Sequence, residues 1–266
     1  MSNYQNITVE REERLYIVTI NRPEVMNALN HQTHAEMARA FDEFEQDPEL
    51  WVAIITGAGD VAFCAGGDIS AMVEAKTEDD YKVPGSGYGG LTNRFSCDKP
   101  IIAAVNGLAL GGGFELALSS DIVIAADNAM FGLPEPKIGT AAVASGMHRL
   151  VREIGLKQAM GILLTADFVD AQKALGFGLV NEVVPADELM TTARNYARKI
   201  LKCAPLAIQA TKHCALQGLR YSSVEEAMAA QLDHRFDKLE AMMHSEDIRE
   251  GLQAFMDKRK PQWAGR

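Results

Sequence analysis

Residues 103–118, Ala-Ala-Val-Asn-Gly-Leu-Ala-Leu-Gly-Gly-Gly-Phe-Glu-Leu-Ala-Leu, read as an apolar strand, a turn, three consecutive glycines and a helix with a carboxylate in its first turn. With no Cβ from Gly111 to Gly113, a ligand can approach the backbone closely. The first N–H groups of the helix lack intrahelical partners, so the loop offers donors to negative charge, whether a phosphate or a developing oxyanion. Glu115 follows Gly112 by three residues, which on a helix puts both on one face, roughly 5–6 Å apart. A base and an oxyanion stabiliser would then converge on one point. Taken alone, the pattern suits equally well a packed strand-to-helix connection in which Glu115 complements the helix dipole.

Upstream, residues 7–10 and 15–20 alternate as strands around a Glu12-Glu13 turn, and Asn21-Arg22-Pro23 leaves the sheet. Asn30 is placed to cap a helix whose apolar residues Ala35, Met37, Ala38, Phe41 and Phe44 have helical spacing. Residues 51–56 are a short buried strand. Ala62-Phe63-Cys64-Ala65-Gly66-Gly67-Asp68-Ile69 is a second glycine-bearing loop after a strand. Residues 77–90 are polar and glycine-rich, a pattern for a mobile loop over a site or a plain surface excursion.

Downstream, strands are predicted at 101–105 and 121–126. Glu135 stands between Pro134 and Pro136, which predicts a stiff extended segment. The alternation of strands and helices points to a right-handed ββα or βαβ coil, an α/β fold. From about residue 144 the pattern turns helical, with segments at 144–151, 156–163, 187–202, 205–217, 223–240 and 245–258 and a strand-like stretch at 179–184. Met228, Leu232, Phe236, Leu239, Met242 and Met243 line the apolar faces of more helices than one small core needs, which points to an oligomer interface, with a purely intrachain core as the alternative.

At 266 residues the chain can bury a full core, and 47% hydrophobic with 23% charged residues is ordinary globular composition. A net charge of -10 argues against nucleic-acid or anionic-membrane partners. No apolar run approaches the roughly 20 residues of a membrane span, and the amino terminus lacks a secretory pattern. Cys64, Cys97, Cys203 and Cys214 show no metal-ligand spacing and read as free thiols of a cytoplasmic protein. Gly111-Gly112-Gly113-Phe114-Glu115 does not satisfy the dinucleotide G-x-G-x-x-G pattern, and Ser145 lies outside a G-x-S-x-G elbow.

Gly67 and Gly112 thus each follow a strand in a loop that can offer an N–H, and Glu115 and Glu135 are carboxylates in otherwise apolar segments. Two donors on one oxygen form an oxyanion hole, and two acids across a water can divide the work of base and acid. A thioester is the substrate that needs both, because addition or removal at Cα–Cβ passes through an enolate.

Phe63-Cys64-Ala65-Gly66-Gly67-Asp68-Ile69, Lys99-Pro100 through Asp121-Ile122, and Phe131-Gly132-Leu133-Pro134-Glu135 resemble the signature segments of the crotonase (enoyl-CoA hydratase/isomerase) superfamily. The resemblance runs from Asn21-Arg22-Pro23 to Ala254-Phe255-Met256-Asp257-Lys258-Arg259. It implies a crotonase-type ββα superhelical core over 1–200 and a helical trimerisation region over 201–266, assembled as a homotrimer or homohexamer. It implies an oxyanion hole from the amides of Gly67 and Gly112, and the two acids of a hydratase in Glu115 and Glu135. Coenzyme A contacts are implied at Arg22, Gly66, Asp68, Ile69 and Ser70, with Phe255 and Lys258 on the terminal helix. The implied reaction is reversible hydration of a 2-enoyl-CoA, with no metal and no cofactor beyond the coenzyme A of the substrate. One departure matters: Ala142-Val143-Ala144-Ser145-Gly146 stands where family hydratases commonly have Pro-Gly-x-Gly-Gly. That makes a lyase of the carnitinyl-CoA dehydratase type, or another member acting on a branched or functionalised acyl-CoA, the alternative, with a non-catalytic binding paralogue behind it.

Overall fold

The computed structural model describes residues 4–77 and 80–266, so Met1–Asn3 and two residues of the 77–90 stretch lie outside it. The chain forms two compact units, one of residues 1–95 and 101–197, the other of 96–100 and 198–266.

The first unit begins with β1 (Ile7–Glu12), β2 (Leu15–Ile20), α1 (His31–Gln46), β3 (Val52–Gly57), β4 (Ala62–Cys64) and α2 (Ile69–Glu74). Next come β5 (Ile101–Val105), β6 (Leu108–Leu110), α3 (Gly112–Leu118), β7 (Ile122–Ala126) and β8 (Met130–Gly132). It continues through α4 (Gly146–Glu153), α5 (Leu156–Thr165), β9 (Val169–Asp170), α6 (Ala171–Phe177) and β10 (Glu182–Val184) into α7 (Leu189–Leu201). As the sequence predicts, α1 starts after Asn30, whose side chain accepts the Thr33 N–H at 2.9 Å.

The strands make two sheets, ordered β1-β2-β3-β5-β7-β10 and β4-β6-β8-β9. Each of the successive pairs β3–β4, β5–β6 and β7–β8 places one strand in each sheet and is followed by helical or irregular chain, so the fold is a mixed α/β coil of ββα turns. Apart from the antiparallel β1–β2 and β8–β9 pairs, the strands are parallel. The central strands β3 and β5 are buried along their whole length, as continuous apolar runs in a parallel sheet should be. The corner between β5 and β6 needs Gly107, because a Cβ there would stand 2.3 Å from the Val61 carbonyl oxygen. Asn106 secures that corner by accepting the Gly57 N–H and donating to the Gly59 carbonyl.

The second unit carries α8 (Pro205–Gly218), α9 (Val224–Leu232), α10 (Asp237–Met243) and α11 (Glu246–Met256). The single helix predicted over 223–240 is two. His234 takes a left-handed φ of 55°, ends α9, and lets Phe236 turn inward to 4% exposure. Within this unit Val224, Leu232, Leu252, Phe255 and Met256 remain exposed. No helix among the described residues is long and apolar enough to cross a membrane.

Two further expectations are corrected. Residues 88–90 are not a surface excursion: Tyr88, Gly89 and Gly90 form a buried 3-10 turn. Glu135 does not sit on an extended segment but opens a 3-10 turn over Glu135–Ile138. Prolines suit the first turn of a helix, where a missing N–H costs nothing, and here that preference prevails over the extended bias of a pre-proline residue.

Candidate active site

The three glycines between β6 and α3 serve three purposes. Gly111 adopts φ 54° and ψ -127°, a combination that side chains resist. Gly113 lies so close to β4 that a Cβ would come 1.9 Å from the Cys64 carbonyl oxygen. Gly112 faces the ring of Tyr88, whose nearest carbon is 2.2 Å from the position of a Gly112 Cβ. Gly111 donates its N–H to the Gly132 carbonyl, which ties the loop to β8.

The loop after β4 meets this one directly. Gly66 has φ 96°, and its Cβ position is 2.9 Å from the Leu110 carbonyl oxygen and 3.4 Å from the Gly112 nitrogen. Leu29 donates to the Gly66 carbonyl and accepts the Asp68 N–H, so in this parallel bridge the Gly67 amide points away from the pairing. Neither the Gly67 nor the Gly112 N–H has an acceptor among the described residues. Two uncommitted donors therefore lie on adjoining loops.

Both carboxylates come to the same place. Glu115, on α3 and 2% exposed, accepts the Gly146 N–H at 2.7 Å. Burial foremost raises its pKa to about 7; the Gly146 bond lowers it in part, and the charge of Glu135 raises it again. A Cβ at Gly146 would press on Glu115 Oε1 at 2.9 Å, so this close seat requires glycine. Glu135 reaches in from its turn, with Oε1 3.2 Å from the Cβ position of Gly111. Its Oε2 is buried without a hydrogen-bond partner among the described residues, and burial pushes its pKa upward. Two uncommitted amides and two acids raised above the ordinary carboxylate range are thus assembled on three consecutive ββα turns.

The residues tied to coenzyme A by resemblance divide into two groups. Arg22 and Asp68 hold each other in a 3.0 Å ion pair, Arg22 also donates to the Ala28 carbonyl, and Asp68 caps α2 by accepting the Ala71 N–H. Their side chains are engaged in keeping the β4 loop in shape, while Ile69 and Ser70 are exposed at the start of α2. Phe255 and Lys258 belong to the second unit, where both are exposed. Cys64 is fully buried, and desolvation raises its thiol to about 12, which suits packing and not nucleophilic attack.

Ser145 stands at φ 92°, where the family pattern has glycine, and its hydroxyl accepts from Arg149 Nε at 2.9 Å. Ser145→Ala and Ser145→Gly both lose that bond, but only alanine keeps a Cβ in the left-handed region. The alanine variant is expected to be less stable than the glycine variant by about 1 kcal/mol in urea titrations. Equal stabilities would remove the strain argument.

Reading by motif missed Tyr88, Tyr81 and His34. His34, fully buried on α1, accepts the Gly89 N–H through Nδ1 at 3.0 Å, and burial lowers its pKa to about 4. The one local signal was Tyr88 preceding Gly89-Gly90 inside a polar stretch.

Residues 10–266 match the family model of enoyl-CoA hydratase/isomerase. The chain is 43% identical to a carnitinyl-CoA dehydratase of Citrobacter koseri over 94% of both chains. It is 41% identical to one of Salmonella arizonae over 98% of this chain and 99% of the other. Its fold matches an enoyl-CoA hydratase of Mycobacterium tuberculosis H37Rv with a TM-score of 0.90 at 38% identity, covering 98% and 99% of the two chains. One from Bacillus anthracis matches with a TM-score of 0.88 at 31% identity, covering 98% and 100%. The two glycine loops, the coil of ββα turns that joins them and these likenesses agree: the chain belongs to the crotonase, or enoyl-CoA hydratase/isomerase, family of enzymes.

Proposed function

We propose that the protein is a hydro-lyase that adds water reversibly to a 2-enoyl-CoA to give a 3-hydroxyacyl-CoA. The observation that carries this reading is the presence of one buried and one half-buried carboxyl, both with raised pKa, beside two uncommitted glycine amides. In the hydration direction, one carboxylate takes a proton from water as its oxygen bonds to Cβ. The Cα=Cβ electron pair shifts toward the thioester, and the charge gathers on its oxygen, held by the Gly67 and Gly112 amides. The other carboxyl, protonated, returns a proton to Cα. With two carboxyls, one can take the proton from water while the other supplies the proton to Cα.

Coenzyme A would run past the β4 loop over the backbone of Gly66 to Ser70, with Phe255 and Lys258 of a neighbouring subunit completing its site. The region 201–266 is proposed as the trimerisation segment of a homotrimer or homohexamer, which would cover the exposed Val224, Leu232 and Leu252.

A second reading, dehydration of carnitinyl-CoA or a similar functionalised acyl-CoA, is favoured by a specific observation. Val143 and Ser145 stand where family hydratases commonly have glycine, and the relatives at 41–43% identity are named for that reaction. The experiment is a turnover series that follows the conjugated thioester absorbance across crotonyl-CoA, longer and branched enoyl-CoAs, and a 4-trimethylammonio enoyl-CoA. Hydration of unsubstituted chains supports the first reading, and a kcat/KM preference for the cationic chain supports the second. The hydro-lyase reading is falsified if none is hydrated.

A further inference from the structure

Tyr88 is 8% exposed, and its hydroxyl makes no hydrogen bond of good geometry among the described residues, with only a loose approach to the Tyr81 hydroxyl. A buried hydroxyl without a well-placed partner is costly to keep, so its presence calls for a reason. The ring is held firmly. Its Cε1, Cζ and Cδ1 lie 2.2, 2.5 and 2.8 Å from the position of a Gly112 Cβ, and it meets the His34 ring edge-on with centroids 4.4 Å apart. His34 also anchors the same turn through the Gly89 N–H. The hydroxyl then arrives 3.2 Å from the Cβ position of Gly67. Tyr88 therefore bridges the two glycines whose amides are uncommitted, with its ring against one and its hydroxyl beside the other. The neighbouring Tyr81 hydroxyl lies equally near Gly67 but is engaged, donating to the Leu29 carbonyl at 2.7 Å.

We propose that Tyr88 is a catalytic residue whose hydroxyl is the third hydrogen-bond donor to the thioester oxygen held by the Gly67 and Gly112 amides. This rests on the reading of the site as a hydro-lyase for coenzyme A thioesters. Burial foremost, then Tyr81 and Cys64, keeps the phenol protonated well above its ordinary range, so it donates throughout neutral pH. No proton leaves it during the reaction. The O–H bond points at the oxygen where the Cα=Cβ electrons accumulate, and the Cα proton still comes from a carboxyl.

The test is Tyr88→Phe in the full-length protein, which keeps the ring and deletes only the hydroxyl. The expected result is a fall in kcat of about 10²–10³-fold with KM little changed, for every enoyl-CoA the wild type accepts. Bound acetoacetyl-CoA should show a weaker enolate absorbance on the variant than on the wild type. The urea midpoint should be unchanged or higher, because a poorly paired buried hydroxyl has been removed. The assignment is overturned if kcat and the enolate band match the wild type. It is overturned equally if the loss is confined to one functionalised acyl chain, or if the midpoint falls together with kcat. Should the wild type hydrate no enoyl-CoA, the reaction reading fails, while the enolate band of bound acetoacetyl-CoA still decides whether Tyr88 donates.

Discussion

Glu115→Gln and Glu135→Gln are each expected to lower kcat for hydration by about 10²–10⁴-fold while leaving the affinity for a coenzyme A ester nearly intact. The amide keeps the volume and an acceptor oxygen, so the Gly146 N–H that Glu115 accepts at 2.7 Å retains a partner. What disappears is the exchangeable proton. A carboxyl whose pKa is near 7 populates both forms at neutral pH, which suits a group that must take a proton in one direction and give it in the other. Glutamine can do neither. The effect belongs to kcat because neither side chain is asked to bind the nucleotide end of the substrate. Near-normal turnover in either variant would remove that residue from the reaction, and a parallel loss of ester binding would make it a binding group instead. The double variant should be little worse than the more damaged single one, since the two acids serve one event.

The second expected result concerns stability. The Glu115 pKa is about 7 in the folded protein against 4.5 for the unperturbed carboxyl, so the native state binds this proton more tightly than the unfolded chain. Its contribution is fully present below about pH 4.5 and is lost as pH rises to about 7, a change of roughly 3 kcal/mol. His34 works against it. Its pKa is lowered from 6.5 to about 4, so the native state refuses a proton the unfolded chain accepts, and stability rises with pH across that interval. The two oppose each other between pH 4.5 and 6.5 in the wild type, while Glu153, also raised to about 7 by burial, adds to the loss, so the wild-type curve does not isolate Glu115. Substitution separates them. Relative to the wild type, Glu115→Gln should gain stability progressively from pH 4.5 to 7, by roughly 3 kcal/mol in all. Urea titrations at several pH values measure that difference, and a difference independent of pH would show that Glu115 titrates normally. If the expectation holds, Glu115→Gln is at its most stable relative to the wild type above pH 7, although it is poor in turnover there. Such opposition is common where a site must keep a carboxylate out of water.

Much of this arrangement is legible residue by residue. The run Gly111-Gly112-Gly113 announces a close backbone approach, and the structure finds one, with Gly113 against the Cys64 carbonyl. The spacing from Gly112 to Glu115 places an acid beside a free amide because helical geometry is local. The apolar run at 101–105 reads as a buried parallel strand because only that environment covers both faces. Where the reading failed, a competing local preference or a distant contact decided. Glu135 entered a 3-10 turn because the first-turn preference of proline prevailed, and the helix over 223–240 broke at His234 so that Phe236 could be buried.

The amino-acid order alone thus determined the strand-and-helix alternation, the two glycine loops and the choice of Glu115 and Glu135 as candidate acids, since each rests on neighbours within a few residues. Only the tertiary structure decided that Glu115 carries its proton near neutrality, that Gly67 and Gly112 share a boundary, and that Tyr88 spans them. Desolvation and hydrogen-bond satisfaction are sums over whatever surrounds a group. For Tyr88 those surroundings come from His34, 54 positions before it, and Gly112, 24 positions after it. No periodicity or motif joins such positions; the coil of ββα turns does.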